Sequence, residues 1–335
     1  MNAVLGAARH ASVRPGQETI AVVIQSARSV ALDVRELTLA RVDGAELPAY
    51  TPGAHIDLHL RPGLVRQYSL CGDGSERASY TVAVKREPTS RGGSRFMHEA
   101  VSAGSLLTIS SPRNHFPLLA DAAHSVLVAG GIGITPLLSM ARHLQARGRS
   151  FKLLHFVRSA EFAAYRVLLA SDPFAAHCQL FCGLPPEGVR EQLEHALASP
   201  APGAHLYLCG PAGFMDAVRE VAARHLPAEQ VHLEYFAAPA SDTQATDGAF
   251  EVRLARSDRT VCVPAHMTIV DALREHGVVI ETACEQGICG TCITPVLDGV
   301  PDHRDAFLTD AEKAGGNCVA LCVSRARSTQ LTLDI

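Results

Sequence analysis

Cys284-Glu285-Gln286-Gly287-Ile288-Cys289-Gly290-Thr291-Cys292 sets three thiols on one short run, and Cys322 follows 30 positions after the last of them. Cysteines spaced by four residues, then two, then a long gap have the pattern of a plant-type [2Fe–2S] centre. Three thiolates on one loop reach two irons only if the backbone turns sharply and points N–H groups at the sulfurs. Gly287 and Gly290 permit that turn. A zinc knuckle site would show paired C-x2-C units, and a single such pair, Cys289 and Cys292, is present. Cys318 stands four positions before Cys322 and competes with it as fourth ligand.

Around this loop the chain runs to 335 residues, beyond the roughly 250–300 at which a single core stops growing, so two or three domains are expected. Hydrophobic residues at 47% and charged residues at 19% fit a globular chain and exclude disorder or a fibrous repeat. The longest uncharged apolar stretch, Ser125 to Ala141, is broken by Gly130, Gly131, Gly133 and Pro136, so no membrane span is expected. The formal charge of −4 is confined to the last quarter: Ala249 to Ile335 carries 8 Lys/Arg against 12 Asp/Glu, and the remainder balances at 22 against 22. This disfavours nucleic acid as a partner and suggests that the C-terminal part meets something basic. Residues 1–18 carry Arg9, His10 and Arg14 without the apolar core of a signal peptide, and read as a flexible tail on a cytoplasmic protein.

Short alternating apolar runs at Thr19–Ser26, Val34–Ala40, His55–Leu60, Gln67–Cys71, Tyr80–Lys85 and Leu106–Ser110 predict six antiparallel strands of a small barrel. The texture then changes. The continuous apolar strand Val126 to Ala129, a Gly-rich turn, a helix over Pro136–Ala146, the strand Lys152–Val157, a helix near Glu161–Leu169 and the strand His205–Cys209 before another helix predict a parallel sheet with crossover connections. Ala237 to Gly248 is small, polar and aperiodic, as a linker should be. Strands at Phe250–Ala255 and Thr260–Val263 and a helix over Ile269–His276, closed by Gly277, lead into the cysteine loop.

Five further motifs carry chemistry. In Arg66-Gln67-Tyr68-Ser69-Leu70, strand alternation sends Arg66 and Tyr68 to one face and Gln67 and Ser69 to the other. Gly92-Gly93-Ser94 opens an apparent helix from Arg95 to Val101, where exposed N–H groups suit a phosphate. Asn114-His115-Phe116-Pro117-Leu118 follows the sixth strand. Gly130-Gly131-Ile132-Gly133-Ile134-Thr135-Pro136 joins a buried strand to a helix and suits a pyrophosphate, although it departs from G-x-G-x-x-G. Cys209-Gly210-Pro211 ends a later strand of the same sheet, at the edge where open α/β sheets bind ligands. Phe214 and Met215 are expected to pack nearby, and the run Glu234-Tyr235-Phe236 closes this portion.

Together with the cysteine loop, these motifs in this order resemble the phthalate dioxygenase reductase family, in which flavin and plant-type ferredoxin portions share one chain. The resemblance covers Thr19 to Ile335. It implies an FMN-binding antiparallel β-barrel over 19–120, an NAD-binding α/β parallel-sheet domain over 121–237, a linker over 238–248, and an α+β ferredoxin (β-grasp) domain over 249–335. It further implies that Tyr68 packs on the flavin, the Ser69 hydroxyl lies near the reactive N5, and Arg66 helps hold the phosphate side. Gln67, Gly92, Gly93 and Ser94 join as flavin contacts, with Ala83 and Lys85 as weaker ones. By the same resemblance Gly130, Gly131, Ile132, Gly133, Thr135 and Pro136 receive the nicotinamide nucleotide. Cys209, with Gly210 and Pro211, lies beside the nicotinamide, and Phe236 stacks near the flavin, making Ser69, Cys209 and Phe236 the catalytic set. The resemblance makes Cys322, rather than Cys318, the ligand that completes Cys284, Cys289 and Cys292.

Stoichiometry gives the expected reaction. A hydride donor delivers two electrons and a [2Fe–2S] centre accepts one, so a flavin must stand between them. The resemblance implies FMN. NADH is expected over NADPH, although Arg158 and Ser159 follow the second strand of the parallel sheet, where a cation and a hydroxyl suit a 2′-phosphate. Arg158 therefore counts among the nucleotide contacts. The expected partner is the oxygenase component of a two-component Rieske-type system, met transiently and in a salt-sensitive manner. A reductase of a diiron monooxygenase is an alternative that the C-terminal place of the cysteine loop disfavours. An iron–sulfur redox sensor is another, disfavoured by the complete flavin and nicotinamide motifs.

Overall fold

The structure, a computed structural model, describes residues 19–61, 64–88, 90, 92–236 and 248–335. The expected tail and, apart from Gly248, the expected linker lie outside the described residues. Two compact units are present, one ending at Glu234 and the other beginning at Tyr235.

The first unit opens with strands β1 (Thr19–Ala31), β2 (Val34–Arg41), β3 (His55–Arg61), β4 (Leu64–Ser69) and β5 (Tyr80–Lys85), the short helix α1 (Gly93–Glu99), and β6 (Leu106–Ser110). The sheet order is β4-β3-β6-β1-β2-β5 and every pairing is antiparallel. Alternation explains the closure: Val22, Ile24, Leu37, Leu39, Ile56, Leu58 and Ile109 point inward with almost no exposure. The two edge strands meet where the Cys71 N–H donates to the Thr81 carbonyl at 2.8 Å and Leu70 bridges Val82, so the sheet shuts into a barrel. The fourth strand therefore runs earlier than the expected Gln67–Cys71. Val65 and Arg66 pair with β3, while Leu70 and Cys71 turn away to β5. Helix α1 likewise starts two residues before the expected Arg95, after Gly92 takes a left-handed φ of 93°.

Beyond the barrel come β7 (His124–Gly130), α2 (Ile134–Ala146), β8 (Phe151–Val157), α3 (Arg166–Leu169), β9 (Cys178–Cys182), α4 (Pro186–Leu197), β10 (Ala204–Cys209), α5 (Ala212–Ala222) and β11 (Val231–Glu234). The five strands are parallel in the order β11-β10-β7-β8-β9. The chain builds outward from β7 to one side, then returns to build on the other. This leaves a crevice between the C-terminal ends of β7 and β10, the place where doubly wound sheets bind ligands. The helix expected near Glu161–Leu169 is broken. Tyr165 adopts φ 61°, a left-handed backbone that stops a helix, and only a single turn at 160–162 and the four-residue α3 form.

The second unit holds β12 (Phe250–Leu254), β13 (Arg259–Val263), α6 (Ile269–Glu275), β14 (Ile293–Asp298), β15 (Pro301–Asp302), α7 (Asp310–Gly315), β16 (Cys318–Ala320), β17 (Arg325–Ala326) and β18 (Gln330–Leu333). Its main sheet has the order β13-β12-β18-β14-β16, with β12 and β18 parallel and the other pairs antiparallel. Helix α6 begins where the Thr268 hydroxyl accepts the Asp271 N–H at 3.0 Å, and it buries Ile269, Val270, Ala272 and Leu273. This is the α+β ferredoxin architecture. Cys292 and Cys322 belong to its core, beside Leu321 and Val319.

Candidate functional site

The loop between α6 and β14 brings Cys284, Cys289 and Cys292 to Cys322, all four buried and none in a disulfide. The Cys284 thiol is in hydrogen-bonding contact with Cys289 and Cys322, and that of Cys292 with Cys322. These contacts pull Cys284 and Cys292 below the ordinary thiol range and push Cys289 and Cys322 above it. The Gln286 N–H donates to the Cys284 sulfur at 3.3 Å, as a loop built for thiolates requires. Glu285, Gly287 and Gly290 take positive φ of 52°, 71° and 71°, which bends the loop around the sulfurs. The Phe307 ring lies flat against Gly290, leaving no room for a Cβ there. A two-iron cluster divides its four thiolates between two metals, and this donor set fits one. Cys318 stays half-buried on β16, apart from these contacts.

In the first unit, Gly130 ends β7, Gly131 to Gly133 form one tight turn whose Gly131 carbonyl accepts the Ile134 N–H, and α2 starts at Ile134 with its N-terminal end at the crevice. Gly133 presses on the Cys209 carbonyl so closely that no Cβ fits, and Phe214 covers Gly130 and Gly210 in the same way. The Thr135 hydroxyl donates to the Ile132 carbonyl at 3.0 Å, bracing the turn from within. His155 on β8 braces it from below, its Nε2 meeting the Gly131 carbonyl at 3.0 Å. Burial holds the His155 imidazole neutral, its pKa pushed down to about 4. Cys209 is fully buried at the end of β10, and burial pushes its thiol well above the usual range.

On the barrel, Tyr68 packs against the core, and burial raises its phenol. The Arg66 stem runs across Gly93, setting a cation beside the glycine turn, and its NH1 also donates to the Val65 carbonyl at 2.7 Å. The Gln67 amide donates to the buried Asp57 at 3.0 Å, which Arg113 also holds at 2.7 Å. The Ser94 hydroxyl donates to Ser90 at 3.0 Å, Lys85 pairs with Glu87 at 2.7 Å, and Ala83 is buried in β5. Arg158 stacks on the Phe162 ring at 4.0 Å, and the Ser159 hydroxyl donates to Glu161 at 3.3 Å.

Two residues were not singled out for a role by sequence reasoning. Register places His155, Ala129, Cys209 and Glu234 in one row across the C-terminal edge of the parallel sheet. Glu234 also hydrogen-bonds Ser69 of β4, so the barrel serine and the sheet cysteine meet at one carboxyl group. Burial pushes that carboxyl up to about 8. The available signal was a charged residue ending an apolar strand in Val231-His232-Leu233-Glu234. Phe236 follows Tyr235 at the start of the second unit and is half-buried.

Residues 252–327 match the 2Fe-2S iron-sulfur cluster binding domain family. The chain is 45% identical over 317 residues to the vanillate O-demethylase oxidoreductase of Pseudomonas sp. (strain HR199 / DSM 7063), covering 94% of this chain and 100% of that protein. It is 40% identical to the phthalate dioxygenase reductase of Burkholderia cepacia, over 93% of this chain and 96% of the relative. A solved structure of phthalate dioxygenase reductase, described as modular for electron transfer from pyridine nucleotides to [2Fe-2S], superposes with a TM-score of 0.78 at 38% identity, covering 95% of this chain and 98% of that one.

Proposed function

The chain belongs to the phthalate dioxygenase reductase family, and on that footing we propose that it is the reductase component of a two-component Rieske-type oxygenase, passing electrons from NADH through FMN to a [2Fe–2S] centre and on to its oxygenase. It is an oxidoreductase that carries electrons from a pyridine nucleotide by way of a flavin and an iron–sulfur centre. The observation that carries the finer reading is the presence on one chain of a closed barrel, a switch-point crevice and a buried four-thiol loop, in that order.

When bound, the flavin supplies the conversion of an electron pair into single electrons that a hydride donor and a one-electron centre require between them. In this reading the barrel over 19–120 takes FMN, with Tyr68 and Ser69 at the ring and Arg66, Gln67, Gly92, Gly93 and Ser94 toward the phosphate. Ala83 and Lys85 lie on the neighbouring strand. The portion over 121–237 takes the dinucleotide: Gly130 to Gly133, Thr135 and Pro136 receive the pyrophosphate, and Cys209, Gly210 and Pro211 border the nicotinamide. Cys284, Cys289, Cys292 and Cys322 hold the two irons, and the Phe307 ring packs on the loop at Gly290.

NADH is favoured over NADPH because the cation and hydroxyl suited to a 2′-phosphate are both engaged. Arg158 lies on Phe162, Ser159 bonds Glu161, and the Glu161 carboxylate stands in the same turn, where it repels phosphate and accepts a ribose hydroxyl. An oxygenase partner is supported by the dioxygenase for which one relative is named, and the Rieske type is part of the proposal. The excess of acidic residues in the C-terminal part suits a brief, screened encounter with a basic face. Ten cysteines, four of them proposed cluster ligands, suit a reducing, cytoplasmic setting, and among the described residues no helix is long and apolar enough to cross a membrane.

Anaerobic titration of the purified protein with NADH, read by visible absorbance and low-temperature EPR, tests the electron path. Flavin and iron–sulfur bands that bleach together, with a rhombic EPR signal, are expected. Flavin bands without that signal, in protein prepared free of oxygen, would end the oxygenase-reductase reading. Acid release and chromatography of the flavin decides FMN against FAD.

A further inference from the structure

We propose that the buried Asp305 carboxylate sets the reduction potential of the cluster, holding it low through a poorly compensated negative charge behind the cysteine loop. The inference rests on the [2Fe–2S] reading of the four thiols given above. It concerns the second unit alone, in the segment that joins β15 to α7.

Three observations carry it. That segment is clamped to the loop on either side of Cys289: the Ala306 N–H donates to the Gly287 carbonyl at 2.9 Å, and the Phe307 ring fills the space beside Gly290. Asp305, one residue earlier, is therefore held in fixed register with the ligands. Its side chain has no exposure to solvent, and its Oδ2 alone accepts both N–H groups of the turn, from Phe307 at 3.2 Å and from Leu308 at 2.8 Å. Its Oδ1 is also closed off and has no hydrogen-bond partner among the described residues. The His303 Nδ1 that faces it stands 3.7 Å away, beyond hydrogen-bond reach.

A carboxylate half unpaired and shut away from solvent is poorly screened. In a low-dielectric interior its field reaches the neighbouring centre, and negative charge beside an iron–sulfur cluster disfavours the added electron. A lower potential gives the reduced centre more drive toward its oxygenase. Lys313 of α7 donates to the Asp305 carbonyl at 2.6 Å and so offsets part of the charge. Removing the carboxylate and removing this cation should therefore move the potential in opposite directions.

The test is an anaerobic redox titration of the full chain loaded with flavin and cluster, following the rhombic EPR signal against solution potential. Asp305→Asn keeps an oxygen for the Phe307 and Leu308 N–H groups and drops the charge. It should favour the reduced cluster about tenfold, a rise of about 59 mV for one electron. Lys313→Gln should disfavour it about threefold. Cluster content, g-values and the flavin potential should match wild type in both variants. A potential unmoved by Asp305→Asn overturns the proposal. So does a shift of the same sign in both variants, because loosening of the loop does not reverse with charge. If Asp305→Asn fails to hold its cluster, Lys313→Gln and Lys313→Glu decide: a graded fall in potential supports the proposal, and no fall overturns it. A wild-type protein without the rhombic signal ends the cluster reading, and this proposal with it.

Discussion

The thiol loop and the switch-point crevice are assembled in opposite ways. Three of the four candidate cluster ligands fall within one loop, and the fourth follows β16 in the same unit. The crevice instead gathers Ser69, Gly131, His155, Cys209 and Glu234 from four strands and one turn that are far apart in sequence. A loop of the first kind tolerates change elsewhere in the chain and fails abruptly when a ligand is lost. A site of the second kind depends on strand register and packing, so it should degrade by degrees.

The largest expected effect breaks the loop alone. Cys292→Ser should lower NADH:cytochrome c reduction by about a hundredfold or more while ferricyanide reduction stays within about twofold, because the flavin can deliver to the small oxidant directly. If steady-state assays show both activities falling together, the two regions are not separable. The converse lesion is Gly133→Ala, which forces a methyl group against the Cys209 carbonyl. It should slow flavin reduction by NADH about tenfold in stopped-flow measurements and destabilise the first unit by about 1–3 kcal/mol. The EPR signal of the dithionite-reduced protein should be unaltered.

A subtler contrast lies in pH. His155 keeps its proton off down to about 4 when folded, whereas an unfolded histidine takes one near 6.5. The unfolded state therefore binds the extra proton between these values, and stability falls as pH drops through that window, by about 3 kcal/mol at most. Glu234 acts in the other direction. Its folded pKa of about 8 lies above the ordinary carboxyl value of 4.5, so stability falls as pH rises from the lower value to the higher. The two windows overlap from 4.5 to about 6.5, where the opposed slopes offset each other, so calorimetry should find the first unit most stable there. His155→Asn should flatten the acid limb and Glu234→Gln the alkaline one. The smallest effect concerns coenzyme choice: Glu161→Gln should raise the NADPH-to-NADH ratio of kcat/KM about threefold by removing one repulsive charge at an exposed turn.

The same contrast explains what the sequence could reveal. Cysteine spacing declares its chemistry without a structure, and the alternating and continuous apolar runs announce a barrel and a parallel sheet. Glycines at the crevice were readable because Gly133 and Gly210 have no room for side chains. Glu234 and His155 were not legible as site residues. Their roles arise from lateral strand pairing, which places them in line with Cys209, and periodicity along one strand carries no information about its neighbours. The broken helix at Tyr165 was hidden for a similar reason, since its ring is buried beside Glu36 of β2 and Cys71, and tertiary packing overrides local helical preference. The strands after the cysteine loop are only two to six residues long, too short for a periodic signal.

Barrel closure also bears on how such proteins can be recombined. Cys71, whose N–H seals the sheet to β5, offers its carbonyl to Arg142 of α2 at 2.7 Å. One peptide segment is thus both the seam of the barrel and the seat of the neighbouring helix. A chimera that exchanges the nucleotide-binding half for that of a distant reductase inherits a barrel whose seam has lost its brace, unless the incoming helix brings a guanidinium to the same carbonyl. Compatibility between the halves of such hybrids should therefore follow the residue at position 142 more closely than overall sequence identity.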